Sequence, residues 1–173
     1  MAPRLYVPTT IVAGFPAIGK SFVATKFPLL VRDFESSDYH WMKDISTGNW
    51  KLDDTGSKIA NPNWPNNYIE GIGVLDKSGM YRSVMVSSHE MIRRKLAEAK
   101  IKYSNIFPQN TPEMKKIILD RCIQRNSPPE FIKNLDEHWD EYINSMANDP
   151  NAVVKIQLTP TTIDMWQGWM LME

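Results

Sequence analysis

One cysteine, Cys122, stands in 173 residues. No internal disulfide framework can therefore hold the chain, and a reducing cytoplasm suits it. Charge of one sign is not in excess either. Twenty Lys and Arg balance 20 Asp and Glu for a formal net charge of +0, which disfavours a nucleic-acid partner with a large footprint. No apolar run approaches the ~20 residues of a membrane span, and residues 1–8 carry no apolar core of signal-peptide length. The sequence shows no internal repeat and no low-complexity tract. A single domain long enough to bury a core is expected, with no membrane partner and a monomer or homodimer as its state. Ten methionines and six tryptophans suit an adaptable core or pocket.

What the sequence does contain begins with Gly14-Phe15-Pro16-Ala17-Ile18-Gly19-Lys20-Ser21. It fits G-x-x-x-x-G-K-[ST], the loop that binds the phosphates of ATP or GTP. Thr10 to Ala13 before it reads as a short buried strand, and Phe22 to Phe27 after it has apolar residues at helical spacing. That order lets backbone N–H groups and a helix N-terminus, which favours negative charge, point at a polyphosphate. Gly14 and Gly19 allow the close approach that a Cβ would block. Lys20 would neutralise the β- and γ-phosphates, and the Ser21 hydroxyl would hold Mg²⁺. The residues from Gly14 to Phe22 are the expected ATP contacts.

Leu29 to Phe34 reads as a second strand ending in an acidic run, Asp33, Glu35 and Asp38. Ligands of open parallel sheets sit at the carboxyl ends of strands, so these carboxylates are candidates to bind substrate, to act as a base, or, for Asp33, to hold Mg²⁺. Residues 44–66 are rich in Asp, Asn, Gly and Pro and read as loop, leading into a helix over 66–75. Trp64 and Tyr68 are candidates to stack on a planar base, or to lie over the core as an aromatic cover. Met80 to Ser87 reads as a third strand, and Ser87-Ser88-His89-Glu90 fits a capping box. Arg93, one turn into the helix that follows, is a candidate to grip a substrate phosphate.

Lys102 to Pro108 reads as a fourth strand. Thr111-Pro112 opens a helix with Thr as N-cap and Pro at its first position, and Arg121 and Arg125 share one face of it. Ser127-Pro128-Pro129-Glu130 opens another helix by a second capping box. Its stripe of Phe131, Leu135, Trp139, Tyr142 and Met146 reads as core. Ala152 to Leu158 is the last strand, and Thr162 to Met170 a closing helix. The fold class expected is α/β: a three-layer P-loop NTPase fold with a mostly parallel five-stranded sheet flanked by helices. Residues 36–78 are read as a substrate-binding insertion and 111–147 as a helical lid, whose arginines would close on a transferring phosphate.

Taken in this order the chain resembles the small P-loop kinases, in particular the nucleoside monophosphate kinases. The wording Gly-Phe-Pro-Ala-Ile-Gly-Lys-Ser, the Asp33-to-Asp38 cluster, Asn-Pro-Asn-Trp-Pro-Asn-Asn-Tyr and Val-Ser-Ser-His-Glu with Arg93 is similar to small bacteriophage proteins of that kind. The resemblance implies ATP and Mg²⁺ on the loop, and a (deoxy)nucleoside monophosphate as acceptor. Lys20, Asp33, Arg121 and Arg125 would be catalytic, in the cytoplasm of a bacterial host if the chain is phage-encoded. The Asp-Arg-Tyr and Asp-Gly-Phe-Pro-Arg motifs of well-known monophosphate kinases are absent, and the third strand ends in Ser-Ser-His where many phosphate-loop enzymes carry Asp. A small P-loop kinase acting on an alcohol, in a metabolite or at a polynucleotide end or modified base, is the alternative. A nucleotide-binding regulatory module without transfer is the reading from another class.

Overall fold

Apolar β-branched runs, bounded by turn residues, build the centre of the molecule. In the computed structural model, which describes residues 8–164, β1 (Thr10–Gly14), β3 (Ser83–Ser87) and β4 (Tyr103–Pro108) are buried along most of their length, as expected of strands covered on both faces. With β2 (Val31–Asp33) and β5 (Lys155–Leu158) they form one sheet in the order β2-β3-β1-β4-β5. Every pairing is parallel. β1 lies at the centre, with Gly14 beside Ser87 of β3 and Ile106 of β4.

The two-residue period of β1 divides the core in two. Val12, with Met85 and Ile106, faces α1 (Lys20–Lys26), α5 (Pro112–Gln124), α6 (Pro129–Glu137) and α7 (Trp139–Ala147). Ile11 and Ala13, with Val84 and Val86, face α3 (Asn66–Ser78) and α4 (Glu90–Glu98). The result is the three-layer α/β arrangement of a P-loop NTPase fold. Met114, Ile118, Cys122, Leu135, Trp139, Ile143 and Met146 are all buried in the first core. The helices read as a lid thus carry their apolar sides inside one of the layers.

Several local expectations are corrected. β2, β3 and β5 are each shorter than the apolar runs that announce them, because Leu29, Leu30, Met80, Val153 and Val154 lie exposed. The capping box at Ser87 does not form. Ser87 stays in β3, and α4 starts at Glu90 with His89 at the N-cap and no side-chain cap. Ser127 does not cap either: Pro128 is the N-cap of α6, and the Ser127 hydroxyl accepts from Arg125 Nε at 2.8 Å. Thr111 does cap α5, its Oγ1 accepting from Met114 N at 3.3 Å. The stripe from Phe131 to Met146 runs over two helices broken at His138. The break turns Trp139 edge-on to Phe15, ring centroids 5.5 Å apart, with its Nε1 donating to Asn110 Oδ1 at 2.7 Å.

Between β2 and α3 the short helix α2 (Ser37–His40) leads into an excursion folded on itself by antiparallel bridges at Trp41–Ala60, Lys43–Trp50 and Leu52–Lys58. Residues 162–164 are in a turn, and the rest of the expected closing helix lies outside the described residues. Among the described residues no helix is long and apolar enough to cross a membrane.

Candidate active site

The loop between β1 and α1 is held by its own backbone geometry. Ala17 and Gly19 take positive φ, 59° and 103°, the left-handed region that costs glycine least. A Cβ on Gly14 would meet Lys20 Cδ at 2.7 Å, so only glycine lets the lysine fold across the loop. Phe15 N donates to Ile106 O at 2.9 Å, tying the loop to the end of β4. Lys20 Nζ donates to Gly14 O at 2.7 Å and to Phe15 O at 3.1 Å. Desolvation pushes its pKa down to about 8, against the opposing pull of Asp33 and Glu35.

One residue on, the Ser21 hydroxyl donates to Asp33 Oδ2 at 2.5 Å. A hydroxyl and a carboxylate side by side are hard oxygen donors of the type that suits Mg²⁺. Among the described residues no group of three or more His, Cys, Asp or Glu side chains could hold a metal. The pair therefore fits an ion shared with substrate phosphates, as Mg²⁺ usually is.

The loop opens into a cavity of about 800 Å³ at the carboxyl ends of β1, β2 and β3. Asp33 and Glu35 line one side, Ser87, Ser88 and His89 another. Arg121 comes from α5 and Arg125 from its C-cap, and Phe131, Asn134 and Tyr142 from the α6–α7 segment. Arg121 donates to Asp164 Oδ1 at 2.6 Å. Arg125 lies with its guanidinium carbon 5.9 Å from the Phe131 ring centroid. Desolvation lowers the His89 pKa, helped by the positive charge of Lys20.

The structure therefore brings Lys20, Ser21, Phe22, Asp33, Glu35, Arg121 and Arg125 to one cleft, but three substrate candidates have other surroundings. Asp38 pairs with Lys43 at 2.6 Å on the surface and does not line the cavity. Trp64 stacks on His40, centroids 4.7 Å apart. Tyr68 is fully buried. Its hydroxyl donates to Phe34 O at 2.6 Å and accepts from Ser87 N at 3.1 Å, so its ring covers the core and offers no face to a base.

Arg93 touches the cavity but is 3% exposed, and its polar atoms are committed elsewhere. It forms a buried ion pair with Asp149 and donates to Ser88 O, Ser145 O and the Ser145 hydroxyl. Tyr103 Oη and Asn105 Nδ2 also donate to Asp149, at 2.9 and 3.2 Å. Burial alone would raise the Asp149 pKa, and these hydrogen bonds together with that from Asn151 N hold it below its ordinary value. The sequence reading of Arg93 as a phosphate grip gives way to a structural one.

Phe131, Asn134 and Tyr142 are cleft residues that the sequence does not announce. The signal for Phe131 and Tyr142 is the edge of an apolar stripe, where half-buried aromatics follow the same period as the core; the exposed Asn134 has none.

No family model matches the chain, and no curated protein matches it. Among solved structures it is similar to a gluconokinase from Sinorhizobium meliloti 1021, at 18% identity and a TM-score of 0.48, over 90% of this chain and 84% of that one. It is also similar to an uncharacterized protein from Eubacterium ventriosum ATCC 27560, at 12% identity and a TM-score of 0.44, over 96% of this chain and 99% of that one.

Proposed function

We propose that the protein is an ATP- and Mg²⁺-dependent kinase acting on a hydroxyl group of a small molecule. One observation carries this reading. A G-x-x-x-x-G-K-S loop, with its Ser21–Asp33 oxygen pair, opens into a cavity of about 800 Å³ that also holds Glu35, Arg121 and Arg125. Small-ligand sites run to about 300–1,000 Å³, so there is room for a nucleotide and an acceptor together.

Lys20 would leave its two carbonyl partners to meet the phosphates of ATP. Arg121 and Arg125 would balance charge on the transferring group, where positioning and electrostatics supply nearly all of the catalysis. Mg²⁺, held by Ser21 and Asp33, would neutralise charge on the β- and γ-phosphates. The acceptor oxygen bonds to the γ-phosphorus as the bond to the β,γ-bridging oxygen breaks. ADP leaves with that electron pair. The hydroxyl proton passes to Glu35, a cleft carboxylate close enough to the phosphate loop to act on the charge of Lys20.

The acceptor of the resembled family, a nucleoside monophosphate, needs a cation of its own. Arg93 was the candidate, and it is locked to Asp149. Glu35 and Glu90 line the same cavity and would repel a dianion. An alcohol needs a base and no cation, which this cleft supplies. The monophosphate reading keeps one support, Arg121 and Arg125.

An ATP-consumption screen with Mg²⁺, across alcohols and monophosphates with a no-acceptor control, tests the proposal. ADP release that depends on an uncharged alcohol is the expected result. Release only with monophosphates returns the acceptor to that class. ATP binding without turnover on any acceptor leaves a nucleotide-binding module.

A further inference from the structure

Beyond the phosphate loop the cleft has an aromatic wall with a fixed polar group. Tyr142 Oη donates to Asn134 Oδ1 at 2.6 Å. With the tyrosine as donor, the oxygen of the exposed Asn134 amide faces Tyr142 and its nitrogen faces away. Asn134 Nδ2 has no hydrogen-bond partner among the described residues, so two N–H donors remain beside the cavity that Asn134 lines. Phe131 and Tyr142 are half-buried, whereas Leu135 and Met146 of the same stripe are 2% and 1% exposed. The stripe therefore leaves two aromatic side chains at the cleft instead of closing over them.

A half-buried aromatic next to an oriented amide suits a planar heterocycle. The ring supplies a stacking surface, and the amide donates to a ring nitrogen or exocyclic oxygen. An open-chain polyol has no face to set against either ring. Charge narrows the class further. Among the described residues, the Lys and Arg side chains lining this cavity are Lys20, Arg93, Arg121 and Arg125. Arg93 is locked to Asp149, and the other three lie about the ATP phosphates in the reading above. The acceptor end also carries Glu90, 3.4 Å from the Ser145 hydroxyl. An uncharged body belongs there. The Arg125 guanidinium against Phe131 puts the aromatic wall next to the transferring phosphoryl group, as a small acceptor requires.

We propose that the acceptor is a nucleoside, its base held by Phe131, Asn134 and Tyr142 and its sugar hydroxyl taking the phosphoryl group. This rests on the kinase reading above. The product is a nucleoside monophosphate, formed by the bond exchange already described, with ADP as leaving group.

The test uses the full chain with ATP and Mg²⁺ on equal concentrations of nucleosides, their monophosphates and polyols, with products identified by mass. Nucleoside binding is measured separately by calorimetry in the presence of ADP. The expected result is a nucleoside monophosphate product. Asn134→Asp, which replaces donors by acceptors, should raise the nucleoside KM about tenfold or more and leave the KM for ATP within about twofold. Tyr142→Leu should do the same through loss of the stacking surface, and Tyr142→Phe should have a smaller effect. A thermal midpoint kept in Asn134→Asp separates recognition from folding. Turnover of polyols in preference to every nucleoside overturns the inference and leaves the kinase reading standing, whereas preference for monophosphates overturns both the inference and the hydroxyl acceptor. ATP binding with no acceptor-dependent ADP release, together with nucleoside binding that Asn134→Asp abolishes, sinks the kinase reading and keeps the nucleoside site. Absence of any nucleoside binding overturns the site itself.

Discussion

Ser21 of α1 gives its hydroxyl hydrogen to Asp33 at the end of β2 across 2.5 Å, joining two residues 12 positions apart in the chain at the foot of the cleft. If this pair holds Mg²⁺, Asp33→Asn keeps the shape and removes the charge. The Mg²⁺ concentration for half-maximal turnover should rise, and turnover should fall about 10–100-fold. ATP binding without Mg²⁺ should be no weaker, since a negative charge near the phosphates has gone. An unchanged Mg²⁺ titration would assign the metal elsewhere.

Lys20 gives a pH signature. Its folded-state pKa of about 8 lies below the ordinary 10.5. Below pH 8 the group is protonated in both folded and unfolded chains, and the folded chain bears the cost of desolvation. Between about pH 8 and 10.5 the unfolded chain binds more protons, so this group makes apo-protein stability rise with pH through that window. ATP phosphates favour the ammonium form. Binding near pH 8 should therefore take up a fraction of a proton, measurable by calorimetry in buffers of different ionisation heat. Lys20→Ala should abolish that uptake and cut turnover by about a hundredfold. Proton uptake that persists in the variant would place the titrating group elsewhere.

Arg93→Met should act on stability. It strands Asp149, 6% exposed, as an uncompensated buried charge, at a cost of about 3–5 kcal/mol. Adding Asp149→Leu should recover much of the loss in a denaturant titration. A variant of unchanged stability with a raised acceptor KM would restore Arg93 to substrate binding.

Tyr68→Phe removes the one oxygen that bridges Phe34 O and Ser87 N. A loss of about 1–3 kcal/mol is expected, the scale of leaving buried polar groups unsatisfied. Relative rates across acceptors should stay the same, because the ring lies outside the cleft. Altered preference among bases would contradict that placement.

Arg121→Ala and Arg125→Ala should lower turnover more than ATP affinity, read as kcat against the Kd for ATP. The Arg125 change should weigh more heavily on the acceptor side, through its contact with Phe131. Wild-type kcat in both variants would make them part of a solvated helix face.

The phosphate loop was legible in the sequence because its chemistry is local: glycine spacing, lysine and serine follow one another, and the flanking strand and helix have distinct apolar periods. The parallel sheet was legible for the same reason. Arg93 was misread, and the choice between the two readings of Tyr68 was left open, because their partners, Asp149 and the backbone of Phe34 and Ser87, are distant in sequence. The identity of an arginine does not reveal whether a carboxylate 56 residues on will neutralise it. Phe131 and Tyr142 were masked by period, since a stripe's core and its cleft-facing edge repeat alike. The Ser87 capping box failed because the strand's pairing with Gly14 retained a residue that local preference assigned to the helix.

The burial of Arg93 also bears on what happens after transfer. A cleft whose fourth cation is locked into the fold would hold a newly phosphorylated product less well than the uncharged molecule that entered. Glu35 and Glu90 would then repel the fresh dianion, and the accumulating product would inhibit weakly. The ion pair that fastens α4 to the turn after α7 thereby favours departure in one direction.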